Sequence, residues 1–174
     1  MFNNHKTEAE KINSFKQKKK EEKSIAIISE AGFPGIAYPG QILIETAQQL
    51  NVVVKPLVGP SSILLALMAR GMNGQQFHFV GYLPIDSQQR LTKIKELEEE
   101  SAKKKCTQIF IETPYRNNQM FDAILKTCRP STRICIASEI TSATEFIKTK
   151  TVEDWKNEKI DLHKKAVIFL LMAV

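Results

Sequence analysis

Cysteine is scarce in this chain, and what there is of it does not pair. Cys106, Cys128 and Cys135 are the only cysteines in 174 residues. None stands in a CxxC pair, and three thiols cannot all close on one another. They read as free thiols of a reducing compartment, which argues against a disulfide-framed secreted scaffold. Histidine is equally thin: His5, His78 and His163 stand far apart in sequence. Zinc sites need Cys and His at close ligand spacing, so no metal is expected. Long apolar runs are lacking too. The longest, Ala166–Val174, has nine residues. That is too short to cross a bilayer as a helix, and it reads as a buried strand. The start shows no basic segment followed by an apolar core of the secretory kind. The expectation is a cytoplasmic protein with no membrane partner.

Several enzyme signatures are also missing. There is no GxGxxG, no GxxxxGK[ST], no HExxH and no GxSxG. The fingerprints of dinucleotide and ATP cradles, zinc proteases and α/β-hydrolases are therefore absent. What is present is an ordinary globular composition, 43% hydrophobic and 25% charged. A net charge of +6 suits an anionic partner such as nucleic acid without identifying one. Part of that excess sits in the first 23 residues, which hold seven Lys and four Glu and read as a solvated helix with Ile12 and Phe15 on one stripe.

Apolar runs and helical periodicities then alternate along the chain. Ser24–Ser29 and Val52–Leu57 are expected as strands, the first buried on both faces if the sheet is parallel, because its apolar residues are nearly continuous. Gln41–Asn51 and Ser61–Arg70 are expected as helices. The polar segment Met72–Gln76 reads as the connector between two domains, 1–72 and 73–174. Beyond it, strands are expected at Phe77–Tyr82, Thr107–Ile111, Arg133–Ser138, Phe146–Lys150 and Ala166–Val174. Helices are expected after a cap at Asp86 or Ser87 to about Ala102, over Asn117–Cys128 and over Val152–Asn157. The order indicates α/β architecture.

Between Ser29 and Gln41 the chain places Gly32, Gly35 and Gly40 with Pro34 and Pro39. Connections of this kind usually take about two to six residues, and this one takes about ten. In an open α/β sheet, loops at the carboxyl ends of strands hold ligands. Four such loops, Glu30–Gly40, Gly59–Ser62, Glu112–Arg116 and Glu139–Glu145, would converge on one edge if their strands run parallel. The first two contain no Lys or Arg, which disfavours a pyrophosphate. They suit an adenosine-type cofactor bearing a sulfonium, held through backbone hydrogen bonds.

The blocks Ser29-Glu-Ala-Gly-Phe-Pro-Gly-Ile-Ala-Tyr-Pro-Gly40, Gly59-Pro-Ser-Ser62, Gly81-Tyr-Leu-Pro84 and Glu112-Thr-Pro-Tyr-Arg116 resemble the tetrapyrrole methylase superfamily. The pattern is most similar to its branch that methylates a cytidine 2′-hydroxyl in small-subunit ribosomal RNA. The resemblance runs from about residue 24 to the end. It implies two α/β domains with S-adenosylmethionine folded in the cleft between them, the first domain N-terminally truncated because the family's opening strand and Pro/Gly loop have no counterpart here. It also implies a homodimer. By the same resemblance Ala31, Gly32, Phe33, Pro34, Gly35 and Ile36 would line the methionine part of the cofactor. Gly59, Pro60, Ser61 and Ser62 would reach it from a second loop, Glu112 and Thr113 would border the adenosine, and Ala166 would close the pocket.

For transfer to a ribose hydroxyl the candidate bases are Glu112 and Glu139, with Glu145 also available. Arg116, Lys148 and Lys150 are candidates for RNA phosphates. Glu30, Tyr38 and Ser142 depart from the ribosomal branch, which has Asp, Asp and Lys there, so the cofactor half of the pattern is better kept than the substrate half. Two alternatives stay open: methylation of a tetrapyrrole, and a cofactor-binding remnant without turnover.

Overall fold

In the computed structural model, residues 8–29, 32–36 and 40–173 are described. They divide into two units, Met1–Ser61 and Ser62–Val174. In the first unit, α1 (Glu8–Lys20) and α2 (Gln41–Gln49) pack together. Phe15, Leu43 and Ala47 form a small core, with Ile25, Ile27, Leu50 and Val52 against it. Helix α2 ends where Asn51 turns left-handed (φ 51°). There the Val52 N–H reaches back to the Ala47 carbonyl at 2.9 Å, the bond that satisfies a terminal carbonyl in such caps.

The strands expected at Ser24–Ser29 and Val52–Leu57 are not formed among the described residues. Nor is the first buried on both faces: Ile28 is 84% exposed, and Leu57 in the second segment is 82% exposed. Composition sets how well a segment suits a strand, but the ladder needs a partner, and these two segments find none among the described residues.

The second unit begins with α3 (Ser62–Ala69), which Gly71 ends at φ +65°. The boundary read from composition, at 72/73, falls after this helix rather than before it. Next come β1 (Phe77–Tyr82), α4 (Ser87–Lys104), β2 (Thr107–Ile111), α5 (Asn117–Thr127), β3 (Arg133–Ser138), β4 (Phe146–Thr151), α6 (Val152–Lys156) and β5 (Val167–Met172). The sheet order is β1-β2-β5-β3-β4. β1 and β2 pair in parallel, and β5 lies antiparallel between β2 and β3. Strands β1, β2 and β3 therefore point the same way, and their carboxyl ends share an edge with the start of β5.

The period-2 pattern of the strands sorts side chains onto two faces. Phe110, Ile134, Ile136, Phe169 and Leu171 face a core with Ile94 and Leu97 of α4, Met120 and Ile124 of α5, and Trp155 of α6. Ile109, Cys135, Ala137, Ile168 and Leu170 face the opposite way, against Ala66 and Leu67 of α3. The Phe110 and Phe169 rings stack across neighbouring strands at 5.7 Å. Asp86 caps α4, its carboxylate accepting the Gln89 N–H at 2.9 Å. Gly81, at φ +80°, sits where the β1–β2 register shifts, a bulge that a Cβ would strain.

Trp155 is fully buried, edge-on to Phe121 at 5.6 Å, and its indole N–H donates to the Ile134 carbonyl at 2.9 Å. Trp155→Ala should cost about 3–5 kcal/mol of stability in urea denaturation followed by far-UV circular dichroism. Trp155→Phe should cost less, about 1–3 kcal/mol, through the carbonyl it leaves unpaired.

The three thiols are unpaired and buried. Burial, then the negative charge of Glu98, pushes the Cys128 thiol from 9.0 up to about 12. Its folded pKa is raised, so the stability it contributes is complete below pH 9.0 and is lost as pH climbs towards about 12. Cys128→Ala should therefore flatten the fall of the urea midpoint over that alkaline range.

Candidate active site

In the first unit, the loop after residue 29 is tied at its base: the Ser29 hydroxyl donates to the Gly32 carbonyl at 2.7 Å. A turn follows, with the Ile36 N–H donating to the Phe33 carbonyl at 3.3 Å. Gly35 is left-handed (φ +81°), which favours glycine, and a Cβ there would press on the Ile44 side chain of α2 at 3.0 Å. Gly59 comes against the Phe33 ring, which a Cβ would meet at 3.2 Å. Of the expected site residues 32–36, Phe33 is thus brought beside Gly59. Ala31 lies outside the described residues, as do Glu30 and Tyr38. Pro60 and Ser61 close this unit, and Ser62 opens the next.

In the second unit, Glu112 and Thr113 leave the end of β2. The Glu112 side chain is wholly buried. Its Oε1 accepts from Arg116 Nη2 at 2.6 Å, from Arg116 Nε at 3.1 Å and from the Thr113 N–H at 2.6 Å. Its Oε2 is buried with no hydrogen-bond partner among the described residues. Such an atom is costly to leave unpaired and would suit a ligand donor. The chain turns at 113–116, the Arg116 N–H donating to the Thr113 carbonyl, and α5 starts.

Glu139 and Ala166 meet. The Glu139 N–H donates to the Ala166 carbonyl at 2.9 Å, and the Ala166 N–H donates back to Glu139 Oε1 at 2.6 Å. Glu139 and Thr141 both take positive φ, 52° and 70°. For a β-branched residue such as Thr141 that is strained backbone. Glu145 supports the turn by accepting the Thr141 N–H at 2.6 Å. Glu112, Thr113, Glu139 and Ala166 therefore share one sheet edge.

The candidate phosphate-binding cations are placed differently. Arg116 is committed to Glu112. Lys148 pairs with Glu158 at 3.1 Å, and Lys150 bonds the same carboxylate. Hydrogen bonds from Lys150 and Lys148 hold Glu158 below the usual carboxylate range.

Sequence reasoning missed Asn117 and Asn118. Buried Asn117 donates to the Leu162 and Lys165 carbonyls at 3.3 and 2.8 Å. Asn118 accepts the Leu162 N–H and donates to Asp161, both at 2.8 Å. The only sequence signal for these roles is a polar pair opening an amphipathic helix. Also missed was an open depression of about 430 Å³ lined by Ser138, Phe146, Lys159, Leu162 and Lys165. Among the described residues no group of three or more His, Cys, Asp or Glu could hold a metal ion, and no helix is long and apolar enough to cross a membrane.

No protein-family model matches the chain. It is similar to ribosomal RNA small subunit methyltransferase I of Vibrio cholerae, 34% identical over 86% of this chain and 51% of that protein. The same-named protein of Buchnera aphidicola subsp. Schizaphis graminum is 32% identical over 92% of this chain and 55% of that one. The chain spans about half the length of the curated relatives it matches. Its fold is similar to that of the methyltransferase CobJ, with a TM-score of 0.66 at 15% identity, over 99% of this chain and 74% of that one. It is also similar to that of uroporphyrin-III C-methyltransferase from Thermus thermophilus complexed with S-adenosylhomocysteine. There the TM-score is 0.55 at 15% identity, over 95% of this chain and 74% of that one.

Arg116→Met leaves the Glu112 carboxylate buried without its counter-charge. It should lower stability by about 3 kcal/mol, read from the urea midpoint of Trp155 fluorescence. Glu112→Gln removes the charge and keeps an oxygen acceptor, so its loss should be smaller, about 1–2 kcal/mol.

Proposed function

We propose, from the premise that this chain is a member of the tetrapyrrole methylase superfamily, that it binds S-adenosylmethionine and takes part in methylating a ribose 2′-hydroxyl of small-subunit ribosomal RNA. The observation that carries the reading is the likeness to ribosomal RNA small subunit methyltransferase I, 34% identical over 86% of the chain. The residues present fit the cofactor. The loops 32–36 and 59–62 offer backbone groups and small side chains without a Lys or Arg, and buried Glu112 Oε2 has an open acceptor position.

When bound, the cofactor supplies an electrophilic methyl group, and the protein's share is positioning. Gly32, Phe33, Pro34, Gly35 and Ile36 hold the methionine portion in this reading, with Gly59, Pro60, Ser61 and Ser62 on the second loop. Glu112 and Thr113 border the adenosine, Glu112 through Oε2. Ala166 closes the pocket, and Glu139 fixes it there through the paired bonds described above. Glu139 serves as a brace, its Oε1 accepting the Ala166 N–H, and Glu112 is held through Oε1 by Arg116 and the Thr113 N–H, which leaves Oε2 for the ligand. The chain works as a homodimer in the cytoplasm, a setting that its unpaired thiols suit.

Calorimetric titration of the full chain with S-adenosylmethionine should give saturable binding, and S-adenosylhomocysteine should compete for it. Methyl transfer from the labelled cofactor should favour small ribosomal subunits over a tetrapyrrole acceptor. A folded sample that binds neither cofactor form would overturn the reading, and transfer to the tetrapyrrole alone would replace the RNA substrate.

A further inference from the structure

Tyr115 is 68% exposed and precedes Arg116, which is paired with buried Glu112. It stands in the turn between Glu112 and α5, and the turn 161–165 packs beside it. His163 lies edge-on to its ring at 5.7 Å. Lys164 Nζ lies 6.0 Å from the ring centroid, within cation–π range. The Lys164 N–H donates to the Pro114 carbonyl at 2.9 Å, so the two turns are joined through the backbone.

This exposed turn is held with unusual thoroughness. Lys164 sits at φ 59°, a conformation few non-glycine residues adopt. Asn117 and Asn118 hold residues 161, 162 and 165 through the bonds given above. Asp161 accepts the His163 N–H at 3.0 Å. The Asn118 amide, then that N–H, holds Asp161 below the usual carboxylate range. Functional loop residues are commonly positioned by a rigid scaffold of this kind. What the supports fix is the placement of His163 and Lys164 against an exposed ring.

We infer that Tyr115, with Lys164 beside it, is a stacking platform for an unpaired base of single-stranded RNA, the lysine meeting a flanking phosphate. This rests on the RNA-methyltransferase reading and deepens it by naming a substrate contact. Sequence-tolerant recognition of single strands combines an aromatic ring for the base with cations for the backbone. Tyr115 offers the first and the 163–165 turn the second.

The test is fluorescence anisotropy of labelled oligocytidylate against the full chain, run as a salt series. Tyr115→Ala should bind about tenfold more weakly, with an unchanged circular dichroism spectrum and unchanged S-adenosylhomocysteine affinity. Tyr115→Phe should match the wild type. Lys164→Met should lower the magnitude of the salt slope by about 0.7, the share of one phosphate on a single strand. Wild-type binding that Tyr115→Ala leaves untouched would overturn the platform and spare the RNA reading. A wild type that binds S-adenosylhomocysteine but no RNA would overturn the platform together with the RNA substrate. Binding that follows duplex RNA better than single strands would also overturn it.

Discussion

The antiparallel seating of β5 between β2 and β3 is the constraint on which the second unit depends. Its residues 167–171 are buried. Phe169 and Leu171 serve one core, Ile168 and Leu170 the other. Because the side-chain period is 2, a slip of one residue would exchange those sets and ruin both packings at once. The register also fixes the site edge. Ser138 is paired with Val167 and Ile111 with Ile168. The residues just beyond, Glu139, Ala166 and Glu112, are therefore brought to the same level. The Glu139–Ala166 pair of hydrogen bonds continues the β3–β5 pairing one step past its end. Core packing thus does the alignment, and the site inherits it.

The two buried carboxylates of this unit illustrate how polar groups are tolerated around such a core. Glu98 accepts the Arg129 N–H at 2.8 Å and the Thr132 hydroxyl, tying α4 to the turn before β3. It is a structural clamp whose charge is used up by local donors. Glu112 is different in one respect: one oxygen is saturated and the other has no partner among the described residues. Native proteins leave few such atoms. The contrast between these glutamates distinguishes a carboxylate spent on folding from one with capacity left for a ligand.

Much of the second unit was legible in the sequence. Its strands were bounded to within a residue or two, because β-branched runs between turn residues are a strong signal. Asp86 was read as one of two possible caps, and the structure selects it. The first unit was less legible. The apolar runs at 24–29 and 52–57 satisfy every local criterion for a strand, yet no pairing forms among the described residues. Strand identity is a relation between segments, and a single segment cannot encode it. The candidate site residues divide the same way. The glycine loop of the first unit was visible because positive φ and close approach leave a mark on residue type. Asn117, Asn118 and the 161–165 turn were not, since the side chains that brace that turn lie more than 40 residues away from it.

An edge aligned by strand register has a consequence for divergence. Side chains around it are free to change so long as the register holds. The solved structures that share this fold do so at only 15% identity. Substrate choice then falls to whatever decorates the fixed edge. In this chain the decoration is an exposed ring and its cations, set on a turn that two asparagines of α5 hold in place. The scaffold and the decoration are coupled through α5. Its buried face packs Met120 and Ile124 into the core, and its first two residues brace the turn. A change in core packing that shifted α5 would therefore move the exposed platform with it.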